Sequence, residues 1–347
     1  MLAVRFYGLG QLRVEDVPLP HASTGELVVR NALAVTCGTD VKMYRRGHPL
    51  AKPPQIMGHE FAGTISEVGA GVDKKFGVGM KVAAANSGPC NTCYYCLRKQ
   101  PNLCEHLDDF LIGFTWPGTY AEYVRVPARI VSQNTFIIPD DAAMEAVASL
   151  EPLACVVHGW DLMRFMPGGT VAILGGGPIG LLHAQLAHCH GAKLVILCDP
   201  HTERLTDATR IGIDVTVNSK EASVPDRIQN LTDGRGVDMV IEAAGKKEAW
   251  EMAHLLARKG GIVLLFGGCP SGAVVSFDAG RIHYGELHVQ GAFHHTPSAV
   301  ERAFNLVVSG RVSTKPLISH QMPLRRAEEA LQLMGAGKAL KVALRAE

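Results

Sequence analysis

At 347 residues the chain is longer than one domain usually runs, so two domains are expected. A composition that is 47% apolar, with 37 glycines and 19 prolines, is that of a turn-rich globular protein and excludes a disordered or fibrous one. Basic residues number 34 against 33 acidic ones, and the resulting charge of +1 gives no whole-chain signature of a nucleic-acid or anionic-membrane partner.

The opening "MLAVRFYGLGQLRVEDVPLP" reads as short strands broken by glycine and proline, without the apolar core of a signal peptide. No apolar run of about 18 residues follows, so no membrane span is expected. Four of the nine cysteines crowd between positions 90 and 104. Without a secretion signal, that usage favours reduced thiols and metal over disulfides, and a cytoplasmic protein. Residues 1–150 alternate β-type runs ("ELVVRNALAV", "FAGTISEVGAGV", "GMKVAAA", "YAEYVRVP") with glycine, proline and polar breaks, the pattern of a β-rich domain.

Near Glu151 the texture changes. "EPLACVVHGWDLM" has helical spacing and stops before "PGG". From Thr170 a buried strand "TVAILG", a helix "GPIGLLHAQLAHCHGA" and a second strand "KLVILCD" are followed by further strands at "VDMVIEAAG" and "GIVLLFGG". Strand–helix alternation of this kind predicts an α/β unit with a parallel sheet. Beyond about 289, a helical "SAVERAFNLVVSGRV" leads to a last strand, "KALKVALRA", which is expected to rejoin the first domain and make the α/β unit an insertion.

Two motifs stand out along the way. "GGGPIG" fits G-x-G-x-x-G with Gly175, Gly177 and Gly180, and its Pro178 and Ile179 open the helix that follows a buried strand. That context is the one a dinucleotide pyrophosphate requires: a tight turn, close backbone approach and a helix N-terminus. Asp199, at the end of the next strand, can accept bonds from both ribose hydroxyls and would repel a 2′-phosphate, which favours NAD over NADP. Arg204 either lines the adenine side or covers the helix surface. Cys90, Cys93, Cys96 and Cys104, spaced C-x2-C-x2-C-x7-C, can converge on one tetrahedral Zn²⁺ whose closed shell makes it structural. An iron–sulfur cluster also uses four cysteines, and a redox C-x-x-C needs a thioredoxin-like context that is lacking.

Read in order, "CGTD" at 37, "GHEFAGTISEVGAGV" at 58, the cysteine quartet, "EPLACVVHG" at 151 and "GGGPIG" at 175 resemble the zinc-dependent medium-chain alcohol dehydrogenases, particularly their polyol (sorbitol-type) and threonine dehydrogenase branch. The resemblance spans nearly the whole chain. It implies a GroES-like β-rich catalytic domain over 1–153 and 289–347, with a structural-zinc lobe at about 86–106. A Rossmann NAD-binding domain over 154–288 interrupts it. It further implies a catalytic zinc held by Cys37 and His59 with Glu60, Glu151 or both, two zinc ions per chain, and a homodimer or homotetramer. Singly, each of these residues has an ordinary packing or pairing role; together they are a zinc-type donor set with room for substrate.

The implied reaction is reversible oxidation of a secondary alcohol of a polyol or sugar alcohol to a ketone, with hydride passing to NAD. A hydroxy amino acid such as L-threonine is the alternative substrate. A non-catalytic zinc-stabilised NAD-binding sensor is the alternative of another class, and it would not need the Cys37–Thr39–His59–Glu60–Glu151 set. Thr39 is placed to accept the alcohol proton, or to cap the helix that "TDVKMY" opens. Lys42 stands where related enzymes carry a histidine that passes the proton on; it relays, contacts cofactor or substrate, or simply faces solvent. Tyr44, Phe114 and Trp116 fall in segments similar to the family's substrate-lining loops. His294 stands where sorbitol-type enzymes place a substrate-binding arginine, with His295 as its outward or packing partner. His183, His188 and His190 read as structural.

Overall fold

A computed structural model describes residues 1–346. It divides into two compact units, one formed by Met1–Cys155 with the segment from His295 onward, the other by Val156–His294.

The first unit is built on a largely antiparallel sheet whose central strand, Leu27–Val35, is buried along most of its length. On one side it pairs with Glu60–Val68, which continues to Lys81–Ala84 and Thr135–Ile137. On the other it pairs with the last strand, Lys341–Arg345, itself parallel to Ile318–Pro323, while Tyr123–Val126 pairs with its first half. The registers decide where chemistry can gather. Val35 lies opposite both Glu60 and Ala343, so the chain just past Val35 is flanked by the start of one strand and the start of another. A helix over Gly38–Arg46 begins there. Its N-cap is Cys37, whose amide donates to the Asp40 carboxylate at 2.8 Å, so the expectation that Thr39 caps this helix is corrected. Thr39 lies within the first turn.

The second unit holds six strands: Thr170–Leu174, Leu194–Asp199, Val215–Asn218, Val237–Glu242, Ala257–Leu265 and His288–Gly291. Numbered in that order, they lie 3-2-1-4-5-6 in space and every pairing is parallel. This is the doubly wound Rossmann order, whose ligands bind at the carboxyl ends of the strands where the order reverses. The inner strands are near-continuous apolar runs because helices cover both faces of such a sheet. The strand read from "GIVLLFGG" begins earlier than its apolar run. Ala257 already pairs with Val237, and the ladder is irregular until Met239 meets Ile262, with Gly260 supplying a left-handed φ of 66°. Among the described residues no helix is long and apolar enough to cross a membrane.

Glu242 closes the fourth strand, fully buried. Its Oε1 accepts the amides of Ala244 at 2.9 Å and Gly245 at 2.8 Å, fixing the turn that follows. Burial outweighs those bonds and lifts its pKa from 4.5 to about 7. The folded chain therefore holds a proton that the unfolded chain releases between these two values. Glu242 should lower stability as pH rises through that window, by about 3 kcal/mol in all. Urea unfolding at pH 5 and 7.5 should show this slope in the wild type and a flatter one in Glu242→Gln; equal slopes would assign the titration elsewhere.

Candidate active site and metal centres

Cys37, His59 and Glu60 bring a sulfur, a ring nitrogen and a carboxylate oxygen within 4.8 Å of one another. The strand registers put them there: Cys37 follows the central strand, and His59 and Glu60 open its neighbour. Two supports were not identified from sequence. Asp40 places Oδ1 3.3 Å from His59 Nδ1 while its Oδ2 accepts from the Cys37 amide and, at 2.8 Å, from the Tyr120 hydroxyl. The carboxylate stands at ion-pair distance behind the ring, the arrangement that orients a metal-ligating histidine. Burial alone would lower the His59 pKa, but Asp40 and then Cys37 outweigh it and hold it well above the usual value, as a carboxylate behind a ligand histidine does.

The second support is Lys341, 2% exposed in the last strand. Its Nζ donates to both Glu60 oxygens, at 2.5 and 2.7 Å, and to the Thr36 carbonyl at 3.1 Å. Burial would lower the lysine pKa, and Glu60 more than reverses that. Its signal in the sequence was a lysine at an inward position of an apolar strand. Glu151, in the first turn of the helix Leu150–Asp161, is also buried. Burial raises its pKa, His59 opposes the shift and Glu60 adds to it, while the Cys155 thiol donates to it at 3.4 Å. Three buried carboxylates, Asp40, Glu60 and Glu151, thus share this region with Lys341 as counter-charge. A thiol and an imidazole in such acidic surroundings are the donors of a divalent transition ion. The residues fit a catalytic zinc.

Phe114 packs its ring 5.4 Å from His59 and 4.8 Å from His48, at the edge of the set. Thr39 is half-buried and Lys42 exposed on the same helix. His295 is buried, its Nε2 3.1 Å from Asn86 Oδ1 and a ring nitrogen within 4.8 Å of a Glu151 oxygen. That placement was not foreseen. His294, the last residue of the second unit, is half-buried with a left-handed φ of 61°. Two expected lining residues are engaged elsewhere. Tyr44 is packed in the core with its hydroxyl 2.5 Å from Glu328, and Trp116 donates to the Arg125 carbonyl at 3.0 Å beneath the Arg125 guanidinium.

Cys90, Cys93, Cys96 and Cys104 gather their sulfurs within 4.8 Å, with Cys90–Cys96 at 4.0 Å and Cys93–Cys104 at 3.9 Å. Zinc–sulfur bonds of about 2.3 Å give tetrahedral edges of about 3.8 Å. Thiolates around a multi-iron cluster stand farther apart, so this geometry suits a single ion. Backbone amides of Thr92 and Cys93 point at the Cys90 sulfur, and those of Cys90 and His106 at the Cys104 sulfur. With the Thr92 hydroxyl leading, these bonds bring Cys90 down to about 5, while burial pushes Cys96 up to about 12.

In the second unit, Gly175 turns with φ of 112° and its amide reaches the Cys198 carbonyl at 2.8 Å. A Cβ on Gly180 would lie 1.8 Å from the Gly175 carbonyl, whereas one on Gly177 would meet nothing within 4 Å. The first contact is helix–strand packing that only glycine permits; the second leaves backbone open to a phosphate. Pro178 and Ile179 form the first turn of the helix Pro178–Cys189. A cavity of about 370 Å³ beside this turn is lined by Gly175, Gly177, Asp199, His201, Arg204 and Lys246 among others. Asp199 does not stand bare in it. Oδ2 accepts from the Gly176 amide at 2.8 Å and Arg204 Nη1 at 3.3 Å; Oδ1 accepts from the amide and Nδ1 of His201, both at 2.8 Å. Such a glycine turn fits a dinucleotide cofactor.

Comparison with known proteins agrees with this geometry. Residues 23–140 match the alcohol dehydrogenase GroES-like domain family, and residues 178–309 match the zinc-binding dehydrogenase family. The chain is 30% identical to sorbitol dehydrogenase of Bacillus subtilis (strain 168), over 96% of this chain and 93% of that one. It is 34% identical to L-threonine 3-dehydrogenase of Pyrococcus abyssi, over 94% and 93%. A solved zinc-binding dehydrogenase structure from Sinorhizobium meliloti 1021, bound to NADP, superposes with a TM-score of 0.92 at 34% identity, covering 99% of this chain and 98% of that one. The chain belongs to the zinc-dependent medium-chain dehydrogenases, in their polyol and threonine branch. It is an alcohol dehydrogenase that uses zinc and a nicotinamide cofactor on a small-molecule alcohol.

In the zinc-stripped protein, Lys341→Met should cost about 3–5 kcal/mol by urea unfolding, because it strands a buried carboxylate. Adding Glu60→Gln should recover most of that loss. Equal losses in the single and double variants would show that Lys341 supports the fold by packing and not by charge.

Proposed function

We propose that the chain is an NAD-dependent polyol dehydrogenase that reversibly oxidises a secondary alcohol of a polyol or sugar alcohol to a ketone. The observation that carries this reading is the convergence of Cys37, His59 and Glu60 within 4.8 Å, backed by Asp40 and Lys341. A sensor that only bound NAD would need none of it. In this reading Cys37, His59 and Glu60 hold the catalytic zinc, with buried Glu151 beside them. Lys341, whose Nζ meets both Glu60 oxygens, offsets the negative charge of that carboxylate. Zinc bound there supplies Lewis acidity, the property that lowers the pKa of a coordinated hydroxyl from about 16 toward 7.

The remaining steps belong to the chain's own groups. Thr39, half-buried two residues beyond Cys37, accepts the alcohol proton on its hydroxyl as its own hydroxyl proton passes to water, and Lys42 is exposed on the same helix. Phe114 covers the imidazole and helps exclude water. The Gly175–Gly180 turn holds the pyrophosphate of the cofactor that receives the hydride. The Cys90–Cys93–Cys96–Cys104 cage holds a second, structural zinc. A cytoplasmic setting and assembly as a homodimer or homotetramer go with the same reading.

Oxidation of L-threonine at its 3-hydroxyl is the second reading, favoured by the higher identity to the threonine enzyme, 34% against 30%. An NAD-reduction screen across polyols, simple secondary alcohols and L-threonine, with and without chelator, tests both. About two zinc ions per chain and chelator-sensitive turnover are expected; one zinc and no turnover would favour the sensor. Thr39→Ala should lower kcat about 100-fold at unchanged zinc content. Glu60→Gln should lose the catalytic zinc while Glu151→Gln keeps it. The opposite pattern would exchange the roles of the two carboxylates. A Lys42→His variant with an unchanged pH–rate profile would leave proton release to water.

A further inference from the structure

A carboxyl buried at the end of a parallel strand is costly, and what surrounds Glu242 there is backbone amide rather than cation. Oε1 accepts the amides of Ala244 and Gly245, and those of Lys246 and Gly267 also favour the charged form. Oε2 finds no hydrogen-bond partner among the described residues. The main-chain carbonyl of Glu242 accepts the amides of Phe266 at 3.0 Å and Gly267 at 2.9 Å. One residue thus holds two loops, 243–246 after the fourth strand and 266–268 after the fifth. We propose that Glu242 is a positioning residue for hydride transfer: its side chain draws the 243–246 loop against both the glycine turn and the 266–268 loop, and so sets the floor under the nicotinamide half of the cofactor. The proposal rests on the reading of this end of the sheet as the dinucleotide site.

The loops and the glycine turn meet with no room for side chains. A Cβ on Gly175 would lie 3.0 Å from the Ala244 amide nitrogen, and one on Gly245 would lie 2.7 Å from the Gly268 carbonyl oxygen. One on Gly267 would lie 2.6 Å from Glu242 Oε2. Backbone therefore packs on backbone, and hydrogen bonds set the spacing. The Ala243 amide donates to the Leu174 carbonyl, just before the glycine turn, at 2.9 Å. Trp250, on the helix Lys247–Leu256 that follows the first loop, donates its Nε1 to the Gly267 carbonyl at 2.7 Å and clamps the second. Glu242 supplies the acceptor for the two amides at the centre of this junction.

The strand order says which half of the cofactor this junction serves. With strands ordered 3-2-1-4-5-6, a dinucleotide spans the reversal with one mononucleotide half on each side. Asp199 on the second strand and the glycine turn after the first mark the adenosine side and the pyrophosphate. The loops joined by Glu242 follow the fourth and fifth strands, so they underlie the other half, where a small error in ring position costs rate steeply. The carboxyl need not be charged to do this. A protonated acid still accepts through its carbonyl oxygen, and so does an amide.

The test uses the zinc-loaded full chain and whichever of NADH and NADPH the wild type binds more tightly, beside ADP or 2′-phospho-ADP to match, which stop at the pyrophosphate. Calorimetry gives the affinities, and the emission of the bound reduced cofactor reports the surroundings of its ring. Glu242→Leu removes the acceptor at similar volume. It should weaken the reduced cofactor about tenfold and change the shorter probe by less than about threefold. The emission of its bound cofactor should differ from that of the wild type. Glu242→Gln keeps an acceptor oxygen and should restore both readouts. Should Glu242→Leu not fold, Gly245→Ala opens the same junction from the far side by pressing on the Gly268 carbonyl, and the same split is expected of it. Equal weakening of both ligands, weakening of neither, or a Glu242→Gln variant as weak as Glu242→Leu would overturn the proposal and leave the dinucleotide site standing. Failure of the wild type to bind the shorter probe would remove that site, and the positioning role with it.

Discussion

The buried pair between Lys341 and Glu60 is the constraint on which the first unit turns. Removing two charges from water costs several kcal/mol per ion, repaid only when geometry is close and the remaining hydrogens are used. Here the ammonium meets both carboxylate oxygens, and the Thr36 carbonyl takes a further hydrogen. The pair therefore needs three strands in one register: the central strand, which leads to Thr36 and Cys37; its neighbour, which begins at Glu60; and the last strand, which begins at Lys341. A shift of one residue in any of them would reverse which face each side chain meets. The same register that satisfies the ions sets Cys37 beside His59.

Around that pair the site is organised as a balance of charge. Asp40 orients His59 and at the same time ties down the start of the helix carrying Thr39, through the Cys37 amide. Its Oδ2 also accepts the Tyr120 hydroxyl, so an element distant in sequence fixes the carboxylate. The second unit solves a similar problem differently. Asp199 is saturated by backbone amides and two side chains of its own neighbourhood, which turns an acidic strand end into a surface of mixed sign.

Much of the fold was legible because its signals are local. Thr170–Leu174 and Leu194–Asp199 are continuous apolar strands bounded by glycine and polar breaks, which only a sheet covered on both faces explains. The four cysteines carry their own spacing, and their convergence needs only a compact loop. Lys341 was not legible as a partner of Glu60 because the two lie 281 residues apart and only the pairing of strands brings them together. Asp40 lay within the "CGTD" motif, but a motif does not say which ring its carboxylate will face. Tyr44 and Trp116 show the limit of reading side-chain direction from position: one turned to Glu328 and the other to Arg125, partners that depend on packing. His201 carries no motif in the sequence, and only the fold sets its ring 2.8 Å from Asp199.

The pairing of the last strand with the central one also orders events during synthesis. Cys37, His59 and Glu60 leave the ribosome early, and the lysine that neutralises Glu60 follows only after the whole α/β unit has been made. Until then the site is an acidic, half-built sheet with an unpaired edge, the kind of intermediate that long-range topologies expose. The cysteine cage and the glycine turn need no such wait, since each closes within its own stretch of chain. A nascent chain of this design can acquire its scaffold before it can acquire its chemistry.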